Sequence, residues 1–174
     1  TGETTMENLI IIGSGPAGAS AALYAARAGL APLLLSQGVG ALEKAERIEN
    51  FYGSGPMPGV DLHRQGERQA EALGARIVRT QVLGVSGFDT YTVTTTDGAY
   101  EAIAVILATG VKRAAPQIAG LRELDGRGVS YCAVCDAFFY RGKKVAVLGS
   151  GDFALSEAEE LGMAAQVGHG RLEG

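Results

Sequence analysis

Cysteine and histidine are scarce in this sequence, with two of each in 174 residues. Two cysteines are too few for the disulfide framework of a small secreted domain. They are also too few for zinc, which takes about four ligands in a structural site. Only His63 and His169 remain to complete such a set, neither at usable spacing, and both are expected to face solvent. Basic residues are outnumbered too: 15 Lys and Arg against 19 Asp and Glu leave a net charge of −4. With no basic stripe, nucleic acid is excluded as a partner. No apolar run reaches the roughly 18 residues that suggest a membrane span. "LIII" at 9–12 is too short for a signal-peptide core and runs straight into a glycine turn. The chain therefore reads as soluble and cytoplasmic, with no membrane contact. "TGETT" before Met6 is polar and featureless and reads as a tail.

What is present is apolar residue, at 47%, and 26 glycines, enough for a core with many tight turns. Apolar runs alternate with helical patterns. "NLIIIG" (8–13) and "PLLLS" (32–36) fit buried parallel strands. "PAGASAALYAARAG" (16–29) reads as a helix opened by Pro16 and stopped by Gly29, with Ala19, Leu23, Ala26 and Leu30 on one face. "VDLHRQGERQAEALG" (60–74) is an amphipathic helix ending at Gly74. Three further stretches, 75–85, 90–96 and 100–110, read as strands, with Asp97-Gly98 as a hairpin turn. "KKVAVLGSGDFALSEAEEL" (143–161) repeats the opening plan of strand, glycine turn and helix.

The two glycine turns point to phosphate. Gly13-Ser14-Gly15-Pro16-Ala17-Gly18 is G-x-G-x-x-G between a strand and a helix. Gly13 permits the tight turn, Gly15 lets a pyrophosphate approach the backbone, and Gly18 lets the helix pack on the sheet. The free N–H groups of the helix N-terminus then face the phosphates. An acidic ribose ligand is expected about 20 residues further on. Ser36-Gln37 stands there instead, and either side chain offers a neutral hydrogen bond. Glu43, beyond the Gly38-Val39-Gly40 turn, reads as a helix surface residue. Gly149-Ser150-Gly151-Asp152-Phe153-Ala154 is a second fingerprint, G-x-G-x-x-A. Two fingerprints suggest two dinucleotides, a bound flavin and a pyridine nucleotide that reduces it.

Between the fingerprints lies "SYCAVCDAFF" (130–139), which holds both cysteines. A structural disulfide is disfavoured in the cytosol. C-x-x-C is the spacing of a dithiol that opens and closes a small ring, and it often lowers one thiol pKa. Cys132 and Cys135 are thus read as a redox pair. Asp136 either caps the helix that follows or exchanges protons with the thiols, since dithiol–disulfide exchange must move them.

Taken together, "IIGSGPAGASAALYAARAG", "IENFYG", "ILATGVKR" and "GVSYCAVCDAFFYRGKKVAVLGSGDFAL" resemble the bacterial-type low-molecular-weight thioredoxin reductases, within the FAD-dependent pyridine nucleotide–disulfide oxidoreductases. The resemblance runs from Met6 to about Leu161. It implies a homodimeric flavoprotein that passes electrons from NADPH through FAD to the cysteine pair and on to a thioredoxin-like protein. It further implies that Cys135 faces the flavin, Cys132 attacks the protein substrate and Asp136 is the acid/base. Asn50, Thr109 and Gly110 would line the FAD, and Val82 would lie by its adenine. Gly149, Gly151, Asp152 and Ala154 would hold the nicotinamide dinucleotide.

The sequence departs from that family at Ser36-Gln37, in lacking the basic cluster for the NADPH 2′-phosphate, and after Leu161. "GHGRLEG" resembles a later strand of the nucleotide domain brought too near. The expectation is a truncated chain, or one that continues, which as written does not build a complete second Rossmann unit. A ferredoxin or reduced-flavin donor, or an inactive flavin-binding fragment, are the alternative readings. The expected architecture is α/β. Residues 1–113 form a Rossmann-like FAD domain, a parallel sheet with a small antiparallel layer from strands near 75–100. A crossover at 111–120 leads to 114–174, a partial NAD(P)H domain that carries the dithiol.

Overall fold

The computed structural model of the chain describes residues 6–111, 116–149 and 151–162, and the backbone of 166–169. It divides into two compact units, Thr1–Arg113 and Ala114–Gly174. The polar tail at 1–5, part of the crossover at 112–115 and the last residues at 170–174 lie outside the described residues. No helix among the described residues is long and apolar enough to cross a membrane.

The first unit is built on a six-stranded sheet in the order β3-β2-β1-β6-β5-β4. Strand β1 (Met6–Ile12) is central and pairs in parallel with both β2 (Leu33–Ser36) and β6 (Gly98–Leu107). Its β-branched run alternates between two cores. Leu9 and Ile11 face α1 (Pro16–Arg27) and α2 (Gly59–Ala72), meeting Ala22, Ala25, Leu34 and Ala70. Ile10 and Ile12 face the other way and pack with Leu33, Leu35, Val93 and Ala102. Each such buried aliphatic side chain contributes about 1.5–3 kcal/mol.

The buried residues of α1 are Gly18, Ala19, Ala22 and Ala25; of the expected row, Ala19 is among them and Leu23 is half-buried against the same core. The helix lies close to the sheet and to α2, and only small side chains fit there. Leu30 follows the helix and is exposed.

The stretch 75–85 is two strands rather than one. Strand β3 (Arg76–Arg79) continues the parallel sheet beside β2, and the Thr80 N–H still donates to the Ser36 carbonyl. At Gln81 the partner changes, because its carbonyl accepts from Thr96. Strand β4 (Val82–Gly87) then runs antiparallel to β5 (Tyr91–Thr95), which is antiparallel to β6. The small antiparallel layer thus starts at Val82. Its hairpin turn is Thr96-Asp97, one residue earlier than the sequence suggests, between the paired Thr95 and Gly98. The Thr95 hydroxyl donates to the Gly98 carbonyl and accepts from the Asp97 N–H, which fixes that turn.

In the second unit, α3 (Ala133–Asp136) is a single turn that passes into a 3-10 turn at Ala137–Tyr140. Strand β7 (Lys144–Val147), helix α4 (Asp152–Gly162) and strand β8 (Gln166–His169) follow. β7 and β8 pair in parallel, so the second fingerprint sits in a β-α-β unit. Of the stretch "GHGRLEG", Gly168 and His169 belong to β8, and the rest lies outside the described residues. Among the described residues this sheet has two strands.

Candidate functional site

In the first unit, the carboxyl ends of β1, β2, β3 and β6 meet the glycine turn. Gly13 has φ +106, a conformation that other residues rarely adopt, and its N–H donates to the Leu35 carbonyl. A Cβ on Gly13 would strike the Ala108 carbonyl and come within 3.4 Å of the Thr109 Cα. The end of β6, with Thr109 and Gly110 beyond it, therefore lies against the turn. A Cβ on Gly18 would strike the Gly13 carbonyl. Both glycines are demanded by the protein's own packing.

Gly15 is different. Its φ of −62 suits any residue, and a Cβ there would meet nothing within 4 Å. No described residue requires glycine at this place. The open space lies at the N-cap of α1, where Ala17 and Gly18 have no intrahelical acceptor for their N–H groups. This is a cradle that a side chain would fill, and a pyrophosphate suits it. Pro16 opens the helix and Ala17 is exposed beside it.

Ser14 and Ser36 are turned inward. Their hydroxyls lie 2.5 Å apart, and both side chains are almost fully buried. Ser14 Oγ is also 2.9 Å from His63 Nε2, and Ser36 Oγ accepts from the Arg79 guanidinium at 2.8 Å. Arg79 grips both carboxylate oxygens of Glu67, at 2.7 and 2.5 Å. His63 Nε2 lies 3.3 Å from Glu67 Oε1, one helical turn along α2. His63 is only 4% exposed, which corrects the expectation that it faces solvent. Burial pushes the Glu67 carboxyl upward, but the Arg79 hydrogen bond, the Ser14 hydroxyl and the charges of His63 and Arg79 outweigh it and hold the group below its ordinary value. The Arg79 guanidinium is raised by its bond to Glu67.

With the Ser36 hydroxyl occupied, Gln37 is the exposed side chain at the end of β2. Asn50 is exposed in the loop after the 3-10 turn Gly40–Lys44, which carries Glu43 on its surface. Val82 is half-buried on β4 and packs on the second core.

The second unit holds the dithiol. Cys132 and Cys135 are joined as a disulfide, with Cα atoms 5.3 Å apart. Cys132 is the N-cap of α3, and its sulfur accepts from the Cys135 N–H at 3.2 Å. Cys135 is exposed and Cys132 partly buried. The Ser130 hydroxyl accepts from the Cys132 N–H at 3.1 Å and donates to the Asp136 carboxylate. Asp136 is thus tethered beside the pair. The carboxylate of Glu157, on α4, accepts from the Ala133 N–H at 2.5 Å. Ser130 and Glu157 escape sequence reasoning, since neither belongs to a motif. Among the described residues no cluster of His, Cys, Asp and Glu is placed to hold a metal ion. The His169 side chain lies outside the described residues.

The second glycine turn repeats the logic of the first. A Cβ on Gly149 would crowd the Ala154 Cβ at 2.6 Å, whereas one on Gly151 would meet nothing within 4 Å. The Ala154 N–H donates to the Gly151 carbonyl, and Asp152 is exposed in the first turn of α4.

Residues 7–169 match the family model described as pyridine nucleotide-disulphide oxidoreductase. The chain is 43% identical over 157 residues to a thioredoxin reductase of Aquifex aeolicus, covering 87% of this chain and 49% of that protein. It is 45% identical over 160 residues to a bifunctional thioredoxin reductase/thioredoxin of Mycobacterium leprae, covering 88% of this chain and 35% of that protein. Among solved structures, thioredoxin reductase from Streptococcus pyogenes aligns with a TM-score of 0.85 at 38% identity, covering 96% of this chain and 56% of that one. The chain thus spans about half the length of the reductases it matches, or less.

Proposed function

Because the chain belongs to the pyridine nucleotide-disulphide oxidoreductase family, we propose that it is part of a flavoprotein reductase whose Cys132–Cys135 pair takes electrons from NADPH through FAD and reduces a thioredoxin-like protein. The observation that carries this reading is the Cys132–Cys135 disulfide itself, closed at the start of α3 with a tethered carboxylate behind it. The Mycobacterium leprae relative, named for both a reductase and a thioredoxin, supports thioredoxin as the kind of partner.

The residues around the first turn suit FAD. Its pyrophosphate, which FMN lacks, fits the space beside Gly15 and the first turn of α1. Gly13 to Gly18 would hold the phosphates, Gln37 the ribose, and Asn50, Thr109 and Gly110 the remaining length, with Val82 toward the adenine. Gly149, Gly151, Asp152 and Ala154 would hold NADPH. Bound FAD supplies the two-electron relay between a nicotinamide and a sulfur pair.

The chain's own groups carry out the exchange. In the reduced pair, the Cys132 thiolate attacks one sulfur of the substrate disulfide and expels the other as a thiolate. The Cys135 thiolate then attacks Cys132 Sγ, restoring the Cys132–Cys135 disulfide and releasing the second substrate thiolate. One disulfide is made and one is lost, and two protons are taken up by the product. Asp136 accepts a proton as the Cys135 thiol ionises and returns it to a leaving thiolate, while Ser130 keeps the carboxylate in place. A pair that must be reduced to act suits a cytoplasm, and a homodimer is the assembly we assign to the whole protein.

The test is anaerobic stopped-flow mixing of the FAD-loaded protein with NADPH or NADH, followed by a thioredoxin. Flavin bleaching by NADPH and reoxidation by thioredoxin supports the reading. Bleaching by neither nucleotide returns the donor to ferredoxin or reduced flavin.

A further inference from the structure

The polar network behind the first glycine turn has no part in the chemistry above. It joins four elements: Ser14 from the turn, Ser36 from β2, His63 and Glu67 from α2, and Arg79 from β3. Ser14, Ser36, His63 and Glu67 are all under one-tenth exposed. Burying four polar side chains is unfavourable unless every one is bonded. Here each is, and no buried side-chain N or O among the described residues lacks a partner. An apolar set of similar volume would serve a core at least as well, so stability alone does not explain the arrangement. Its position does. Ser14 is the second residue of the phosphate turn and Ser36 ends β2, at the carboxyl edge of the sheet where α/β proteins bind ligands.

We propose that His63, Glu67 and Arg79 are positioning residues for the dinucleotide, clamping Ser14 and Ser36 so that the phosphate turn and the end of β2 are held in their binding geometry before ligand arrives. The chain of holds is short. Arg79 fixes Glu67 at two points and Ser36 at one, Glu67 neighbours His63, and His63 meets Ser14. Ser14 cannot turn outward without breaking its buried hydrogen bonds to both Ser36 and His63. Its side chain therefore acts from behind the turn rather than as a ligand, and the same holds for Ser36. A preorganised turn spares the ligand the cost of ordering it. The inference rests on the reading that this turn binds FAD.

The experiment is equilibrium binding of FAD, by flavin fluorescence, and of ADP-ribose, by competition, to the full chain stripped of flavin. Melting temperatures are measured alongside. His63→Leu is expected to weaken both ligands about tenfold, the worth of one lost anchoring hydrogen bond, and to lower the melting temperature of the flavin-free protein while its unfolding stays cooperative, because Ser14 and Glu67 each lose a buried partner. His63→Gln, which keeps a hydrogen-bonding partner for Ser14 Oγ, is expected to stay within about threefold of wild type. In a Ser14→Ala background His63→Leu is expected to cost nothing further, since its target is gone. Should His63→Leu not fold, the Gln variant and Ser14→Ala alone carry the test, the latter with its own tenfold loss. Affinities within about twofold of wild type in folded His63→Leu or Ser14→Ala, or additive losses in the double variant, overturn the proposal. Gly15→Val separates it from the reading beneath it. If that variant binds FAD as wild type does, or if wild type binds none, the site is not at this turn and both fall.

Discussion

Ser14 and His63 stand 49 positions apart in the sequence, and Ser14 Oγ lies 2.9 Å from His63 Nε2 beneath the glycine turn. Through that pair the phosphate turn is fastened to α2. The turn thus has two kinds of glycine and one serine that faces the protein, and substitutions there are expected to differ in kind.

Gly15→Val is expected to abolish FAD binding and leave the fold intact, because its side chain enters space that no protein atom uses. Gly18→Val is expected to destabilise the protein itself, since its Cβ would strike the Gly13 carbonyl. Overpacking of this kind costs about 1–3 kcal/mol or more. Flavin content and thermal unfolding of the two variants check this. A Gly15→Val protein that keeps its flavin contradicts it.

Acid should loosen the first unit through Glu67. Its carboxyl is held below the ordinary value of 4.5, so the ionised form is favoured by folding. That contribution is complete above about pH 4.5 and is lost as the pH falls through the lowered folded value. Glu67→Gln is expected to flatten the acid limb of the stability profile and to lower stability near neutrality by about 1–3 kcal/mol, because Arg79 and His63 lose their partner. Urea unfolding of both proteins from neutrality into acid measures it. Parallel acid limbs would remove Glu67 from the account.

Much of this was legible in the sequence, and what was not has a common cause. The glycine turns and C-x-x-C act through local backbone and fixed spacing, so the residues announce themselves. His63, Glu67 and Arg79 act through convergence of α2 and β3 on β2. In one dimension His63 and Glu67 are only an i, i+4 pair on an amphipathic helix, and the buried face of α2 was the one available hint. The break at Thr80-Gln81 was hidden because both halves of 75–85 are equally strand-like. It is the change of partner, from β2 to β5, that divides them. On α1 the leucine spacing caught Ala19 and Leu23 but missed Gly18, Ala22 and Ala25, since close helix packing favours small residues over larger ones.

Asp136→Asn is expected to slow thiol–disulfide exchange by about 10²- to 10⁴-fold, the usual worth of a general acid–base, with FAD content unchanged. Ser130→Ala should show a smaller loss of the same kind, since it frees the carboxylate without removing it. Rates of thioredoxin reduction measure both. A loss below about threefold in Asp136→Asn would leave the residue as a helix element only.

Glu157→Gln tests the link from α4 to the dithiol. Its carboxylate accepts from the Ala133 N–H, next to Cys132, and a negative charge there disfavours a thiolate. The variant is expected to alkylate faster than wild type in the reduced state below the thiol pKa, with the rate–pH curve displaced to lower pH. An unmoved curve would confine Glu157 to holding the turn.

The central claim, that Cys132–Cys135 shares electrons with a bound flavin, is tested most directly by anaerobic reductive titration of the FAD-loaded protein, read by flavin absorbance and by counting free thiols. The account predicts that wild type takes up about two electron pairs per flavin, one for the flavin and one for the disulfide, and that Cys135→Ser takes up about one. A wild-type protein whose flavin is fully bleached by one pair, with the Cys132–Cys135 disulfide still closed, would contradict it.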